Sequence, residues 1–265
     1  MEQSEWSNLR ATVSQQEVSL KTTSDRVLSV LALFTREKGE WTVEEAAELL
    51  NLPISTAYRY FKSLARAQLI IPYWPGRYVL GPAVIEYDRA MRLHDPMINA
   101  SKLVMLELAE SVGDCVAMLA RCYMDKVMCV HREHARNSLF DAVGYERGRP
   151  MPIDRGAASK VILANLGSRE RRAIKVPQDD PDLKADLRAI RACGFAITHG
   201  EVTQGVMGAA VPIFRSDQTL EGSLGLILPA DRKDDQQDIV EALIRARKQI
   251  ESNLAVDQAQ QHDFG

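Results

Sequence analysis

The stretch Leu52–Ala67 constrains this chain more than any other. It opens on Pro53, whose missing N–H costs nothing in the first turn of a helix. At 100° per residue, Ile54, Ala57, Phe61, Leu64 and Ala65 fall on one apolar stripe. Ser55, Thr56, Arg59, Lys62, Ser63 and Arg66 fall on the opposite side, which carries three cations and no acid. The preceding segment, Thr42–Leu50, is also helical, with Thr42 as N-cap and Glu45 completing a capping box. Two short helices around a tight turn at Asn51-Leu52-Pro53 form a helix-turn-helix pattern.

A helix that reads DNA needs one face to pack and one to read. Short hydroxyls such as Ser55 and Thr56 let the backbone approach phosphates or base edges. Arg59 can fork onto a guanine edge, and Lys62 and Arg66 suit phosphates. An ordinary amphipathic helix with a solvated basic face has the same pattern, so the flanking sequence decides. Upstream, Ser24-Asp25 caps a helix with apolar positions Val27, Leu28, Val30, Leu31, Leu33 and Phe34. Downstream, Leu69-Ile70-Ile71 and Tyr78-Val79-Leu80 are strand-like runs around Pro72-Tyr-Trp-Pro-Gly-Arg77. Helix, helix-turn-helix and hairpin make a winged helix-turn-helix, with Arg77 expected at the wing tip. For Tyr73 and Trp74, packing within the wing stands beside a functional role.

The length of 265 residues allows one large domain or two ordinary ones. A hydrophobic content of 46% with 26% charged residues is that of a globular chain with ample core. The net charge of −3 excludes a bulk polycation, so nucleic-acid binding must come from a local patch. No run of about 18 apolar residues and no signal-peptide core is present, so no membrane span is expected and a cytoplasmic location is. Cys115, Cys122, Cys129 and Cys193 form no C-x-x-C pair and are expected reduced. Residues 1–22 are polar and weakly periodic, a flexible arm by composition.

Residues 24–255 resemble the IclR (isocitrate lyase regulator type) family of bacterial transcription factors. The residues that carry the resemblance are Leu52-Pro-x-Ser-Thr-x-x-Arg59, Gln68-Leu-Ile70 and Tyr78-x-Leu-Gly81. It implies an α+β architecture: a winged helix-turn-helix over 23–81, a linker helix over 82–94, a GAF-like effector-binding domain over 95–257 and a tail over 258–265. The DNA-facing set it implies is Thr42, Ser55, Thr56, Arg59, Tyr60, Lys62, Ser63, Arg66 and Arg77. The implied partners are double-stranded operator DNA, a small organic acid, and further copies of the chain as a homodimer or dimer of dimers. No cofactor is implied. One recognition helix covers only a few base pairs, so a dimer on a near-palindromic site is expected.

The second half reads as alternating strands and helices: an antiparallel sheet with helices on its faces. Strands are expected over Cys115–Tyr123, Val127–His131, Phe140–Tyr145, Phe195–His199, Val206–Phe214 and Ser223–Leu228. Helices are expected from Asp95-Pro96 to Gly113, after the Gly148–Lys160 loop, over Asp182–Ala192 and from about Asp234 to Leu254. The loop Gly148–Lys160 resembles one wall of the family's effector pocket. Gly156, Ala157 and Ala158 are expected to leave N–H groups accessible at a helix N-terminus, an anion site suited to a carboxylate. Thr198 and His199 stand where the family commonly has acids, Gly208 where it has cysteine, and Gly225 and Ile227 where it has small hydroxyl residues. The resemblance therefore implies a roomier, more apolar pocket for a hydrophobic or aromatic carboxylate, with Phe140 and Met207 against its body.

One alternative belongs to a different class. Cys129, Val130 and His131 would place the Cys and His side chains on one strand face, with His134 three residues on. Such ligands suit zinc or a redox centre, although the spacing is not a standard zinc one. No phosphate-binding glycine loop and no nucleophile elbow occurs. The enzyme reading rests on that cluster alone.

Overall fold

In the computed structural model the described residues are 22–35, 38–136, 138, 140, 142, 144–174, 180–232 and 235–262. The expected flexible arm lies outside them except for Thr22. The chain divides between Leu93 and His94 into two compact units.

The first unit begins with α1 (Thr23–Leu33). Its cap is Thr22 rather than the expected Ser24. The Thr22 hydroxyl accepts from the Asp25 amide while the Asp25 carboxylate takes the Thr22 amide, so Asp25 is the far half of a capping box. A two-residue strand, β1 (Trp41–Thr42), leads into α2 (Val43–Leu49), capped by Thr42 and Glu45 as expected. Asn51 turns the chain at φ 50° into α3 (Ile54–Arg66). A hairpin follows, β2 (Ile70–Trp74) and β3 (Arg77–Leu80), and β3 also pairs with β1. The third strand had no signal beyond Trp41. That indole is fully buried and donates from Nε1 to the carbonyls of Leu33 and Lys38, each at 3.1 Å. The core gathers Trp41, Phe61, Phe34 and Leu33 with the apolar faces of all three helices.

Gly81 shows why this wing ends as it does. Its N–H donates to the Leu69 carbonyl at 2.8 Å, and the Ala83 N–H donates to the Gln68 carbonyl at 3.1 Å. A Cβ on Gly81 would lie 2.2 Å from the Gln68 oxygen. The strand leaving the wing is thus pinned against the segment that leaves α3, and only glycine fits. The helix α4 (Ala83–His94) follows.

The second unit opens with α5 (Pro96–Val112), capped by Asp95 and closed by Gly113 as the sequence indicated. Then come β4 (Val116–Tyr123), β5 (Lys126–His134), β6 (Pro150–Pro152), α6 (Ala157–Asn165), α7 (Ser168–Ala173), α8 (Pro181–Cys193), β7 (Ala196–His199), β8 (Val206–Phe214), β9 (Leu220–Pro229) and α9 (Gln236–His262). The strands form one antiparallel sheet in the order β6-β5-β4-β9-β8-β7. One face packs on α5 and α9 through Met105, Leu108, Leu243 and Ile250. The other packs on α6 through Ala157, Ala158, Val161 and Ile162, with Ile190 of α8 in the same cluster. The central strands are therefore buried on both faces and read as continuous apolar runs rather than as alternation.

Two expectations are corrected here. Phe140, Ala142, Gly144 and Tyr145, the described members of the expected third strand, are not in a strand. The strand pairing with β5 at that edge is instead Pro150–Pro152, inside the stretch read as loop; an edge position tolerates its prolines. The final helix begins at Gln236 and runs to His262, past the expected end; Asp234, its expected start, lies outside the described residues.

Gly81→Ala should destabilise the first unit by roughly 2 kcal/mol or more, because a backbone carbonyl must move to admit one methyl. The midpoint of chemical unfolding, followed by near-ultraviolet circular dichroism, measures this. An unchanged midpoint would mean the junction after β3 yields freely.

Candidate nucleic-acid interface and effector site

The face of α3 divides where the heptad-like spacing divides it. Ala57, Tyr60, Phe61 and Leu64 stand at i, i+3, i+4 and i+7 and are all buried. Tyr60 is therefore a correction to the DNA-facing set: it is 4% exposed and belongs to the core. Ile54, assigned to the apolar stripe, is the first residue of α3 and is 54% exposed. Ser55, Arg59, Lys62, Ser63 and Arg66 are exposed and Thr56 half-buried. The Ser63 hydroxyl donates back to the Arg59 carbonyl at 3.0 Å and keeps its acceptor capacity. From Ile54 to Leu80 the chain contains Arg59, Lys62, Arg66 and Arg77 and no acid.

Two other expected contacts have local duties. The Thr42 hydroxyl accepts from the Glu45 amide at 3.1 Å as the cap of α2. Arg77 is not at the wing tip, which is the turn at Pro75-Gly76; it is the first residue of β3 and pairs across to Thr42. Its guanidinium lies 3.1 Å from Glu40 and 4.0 Å from Glu45, which offsets its charge.

In the second unit, strand pairing sorts the expected effector residues by face. Thr198, Gly208, Ile227 and Val116 form one row across β7, β8, β9 and β4. Ala196, Ala210, Gly225 and Met118 form another row on the same face, the one α6 covers. A Cβ on Gly208 would lie 3.5 Å from the Ala157 Cβ, and one on Gly225 would lie 3.8 Å from the Ala158 Cβ. The start of α6 thus rests directly over two glycines. Phe140 packs on the same cluster. Met207 and His199 do not join this group. They pair with each other one residue out of phase, so they occupy the other face. There Met207 joins the α5/α9 core, and His199 Nε2 lies 3.5 Å from Gln236 Nε2 on α9.

The N-terminus of α6 is already furnished with acceptors. The Ala157 amide donates to Thr198 Oγ1 at 3.0 Å, and the Gly156 amide donates to Glu201 Oε2 at 2.9 Å. The other Glu201 oxygen takes Lys160 Nζ at 2.7 Å, and Lys160 also donates to Asp186 at 2.8 Å. The expectation of freely accessible N–H groups is therefore corrected for Gly156 and Ala157. The amides of Ala158 and Ser159 have no acceptor among the described residues. The roominess expected at Gly208 is corrected too, since a Cβ there would meet Thr198 Oγ1 at 3.2 Å. Burial alone would lower the Lys160 pKa, but hydrogen bonds and charge from Asp186 and Glu201 outweigh it and hold the ammonium above its ordinary value. Glu201, Asp186, Lys160 and Ser223, which donates to the Ala158 carbonyl at 3.2 Å, were not in the expected site. A lysine within an apolar helical run was the available signal, because a buried cation needs acids to face it.

The Cys129/His131/His134 cluster does not assemble. A bulge falls between the Leu119–His131 and Ala120–Cys129 pairs, leaving Val130 as the extra residue. Cys129 therefore joins the α6-side core, while His131 pairs with Leu119 of the α5-side core. His131 Nε2 meets Glu133 at 2.9 Å, and His134 is exposed. Among the described residues no three His, Cys, Asp or Glu side chains group as a metal site. Burial pushes the Cys129 and Cys115 thiols up to about 11, far from thiolate chemistry at neutral pH.

Two family models match the chain. The IclR helix-turn-helix domain matches residues 23–70, and the bacterial transcriptional regulator IclR C-terminal matches residues 92–252. The HTH-type transcriptional regulator XynR of Escherichia coli K12 is 26% identical over 250 residues, spanning 89% of this chain and 95% of that protein. A candidate IclR regulator of Silicibacter sp. TM1040 has a solved structure with a TM-score of 0.76 at 22% identity, covering 88% of this chain and 96% of that one. An IclR homologue of Microbacterium hydrocarbonoxydans, complexed with 4-hydroxybenzoate, gives a TM-score of 0.70 at 20% identity over 88% of this chain and 99% of that one. No helix among the described residues is long and apolar enough to cross a membrane.

The burial pattern fixes which thiols can react. At pH 8 a disulfide reagent should titrate Cys122 and Cys193 in the folded chain, and Cys115 and Cys129 only after denaturation. Rapid labelling of Cys129 in the native protein would restore it as a candidate ligand or redox group.

Proposed function

The chain belongs to the IclR family of bacterial transcriptional regulators, and from that premise we propose that it binds a near-palindromic operator through α3 as a homodimer or dimer of dimers. It works in the cytoplasm and answers to a small organic carboxylate. The observation that carries the DNA reading is the exposed Arg59, Lys62 and Arg66 face within a 27-residue segment, Ile54–Leu80, free of acid. Arg59 stands one turn from the hydroxyls at the helix start, where a forked donor reaches a guanine edge. Lys62 and Arg66 lie further along and serve phosphates. The requirement for two copies follows from the few base pairs one helix spans.

The effector is proposed to enter at the start of α6, against Phe140, Thr198 and Ile227. An aromatic acid is favoured by the apolar residues around that point and by the 4-hydroxybenzoate held by the Microbacterium homologue. A carboxylate there meets the open amides of Ala158 and Ser159, or exchanges with Glu201 for the Gly156 amide and Lys160. That exchange leaves Lys160 paired and frees the 200–205 loop, so ligand and loop position are linked. Such a ligand changes DNA affinity only through a preference for one arrangement of the protein over another.

Arg59→Ala should remove discrimination between operator and random duplex, a loss of about 1–3 kcal/mol, with the fold intact. Lys62→Ala or Arg66→Ala should weaken binding to both duplexes alike and flatten the salt dependence by about one unit of slope. Gel-shift titrations across a salt series check both; an operator affinity unmoved by Arg59→Ala removes that residue from the interface. For the effector, Ala158→Phe should abolish binding of benzoate-sized acids and leave DNA binding unchanged. Calorimetry with acids from pyruvate to 4-hydroxybenzoate reads this, and wild-type affinities in the variant would place the pocket elsewhere.

A further inference from the structure

Tyr73 and Trp74 are among the most exposed large aromatic side chains of the described residues, at 65% and 59%. They meet edge to face, with ring centroids 5.2 Å apart and planes at 78°. Each covers part of the other, and the remaining ring surface is open. The tip that carries them is held firmly. Pro72 and Pro75 flank the pair and fix two backbone torsions. The register jumps from Pro72–Tyr78 to Trp74–Arg77, so Tyr73 is the extra residue of a bulge, and Gly76 closes the turn at φ 77°. Two large aromatics kept in water on a stiff support lose little freedom when a partner covers them.

The neighbouring chemistry selects the partner. β2 leaves the end of α3 with only Ala67-Gln68-Leu69 between them, and no acid interrupts the segment from the reading helix through the wing. Nothing in that segment repels phosphate walls. Its one wing cation, Arg77, is tied to Glu40, so the tip offers apolar rings rather than charge. We propose that Tyr73 and Trp74 form an aromatic wedge that enters the minor groove beside the α3 contact and opens a flexible pyrimidine–purine step, bending the duplex. The proposal rests on the DNA-binding reading of the first unit and adds a second, shape-sensitive contact to it. Because the contact is apolar, it contributes affinity without releasing counterions, and its loss leaves the salt slope unchanged.

The test uses the full chain and a 30-bp duplex drawn from a random-sequence pool by repeated selection on the wild type. The wild type should raise the emission of 2-aminopurine placed at the opened step and shorten the end-to-end distance read by energy transfer between terminal dyes. Distamycin, which fills the minor groove of A·T runs, should compete with it. The Tyr73→Ala/Trp74→Ala variant should bind about tenfold more weakly, at the same salt slope, with the bend, the 2-aminopurine signal and the distamycin sensitivity lost. The Tyr73→Phe/Trp74→Phe variant should restore them. Wild-type binding that is indifferent to distamycin and leaves the duplex straight overturns the wedge while sparing the DNA-binding reading. So does a double-alanine variant with unchanged DNA affinity but altered self-association in sedimentation, which would assign the tip to a second copy. Failure of the wild type to select any duplex overturns both.

Discussion

The second unit depends on how closely α6 approaches the sheet. Gly208 and Gly225 lie under Ala157 and Ala158, where a methyl at either glycine would already touch the helix and a bulkier side chain would lift it away. Contact at this distance brings the Gly156 and Ala157 amides to Glu201 and Thr198, so the cap of α6 comes from β7 and the loop after it. The same approach buries Lys160, which then requires Asp186 of α8 and Glu201 to face it. Helix, sheet edge and α8 are thus joined by one small-residue contact and the three charges it forces together. Leaving one charge of such a group unpaired costs more than the group contributes when complete.

The sequence made the architecture legible where a local rule acts alone. Thr42 with Glu45, Asp95 with Pro96, and Gly113 as terminators are chemical signals read within a few residues, and they stand as expected. The apolar spacing of α3 was equally direct. Misreadings arose where distance or register intervened. Tyr60 fits the buried spacing of α3, yet the DNA-facing set included it beside Arg59. Met207 and His199 were grouped with Gly208 and Thr198 by proximity in sequence, although alternation along a strand forces neighbours onto opposite faces.

The bulge at Val130 is the sharper example. Nothing in Cys129-Val-His131 announces an extra residue, because a bulge is a property of the pairing with β4. It moves one candidate ligand to each side of the sheet and thereby decides between a metal centre and two unrelated core positions. The caps of α6 were hidden for the same reason: Glu201 lies 45 residues from Gly156, and only the sheet brings them together. Family resemblance pointed to the start of α6 as the candidate site, whereas the charges gathered there depend on tertiary contact.

Pro72 lies in β2, an edge strand of the wing sheet. A free edge next to exposed aromatic rings is the arrangement from which chains extend sheets into one another and precipitate. Proline withholds the N–H that an added strand would need, and the adjoining bulge throws any incoming strand out of register. The wing can therefore display sticky side chains while refusing the backbone pairing that would turn stickiness into aggregation.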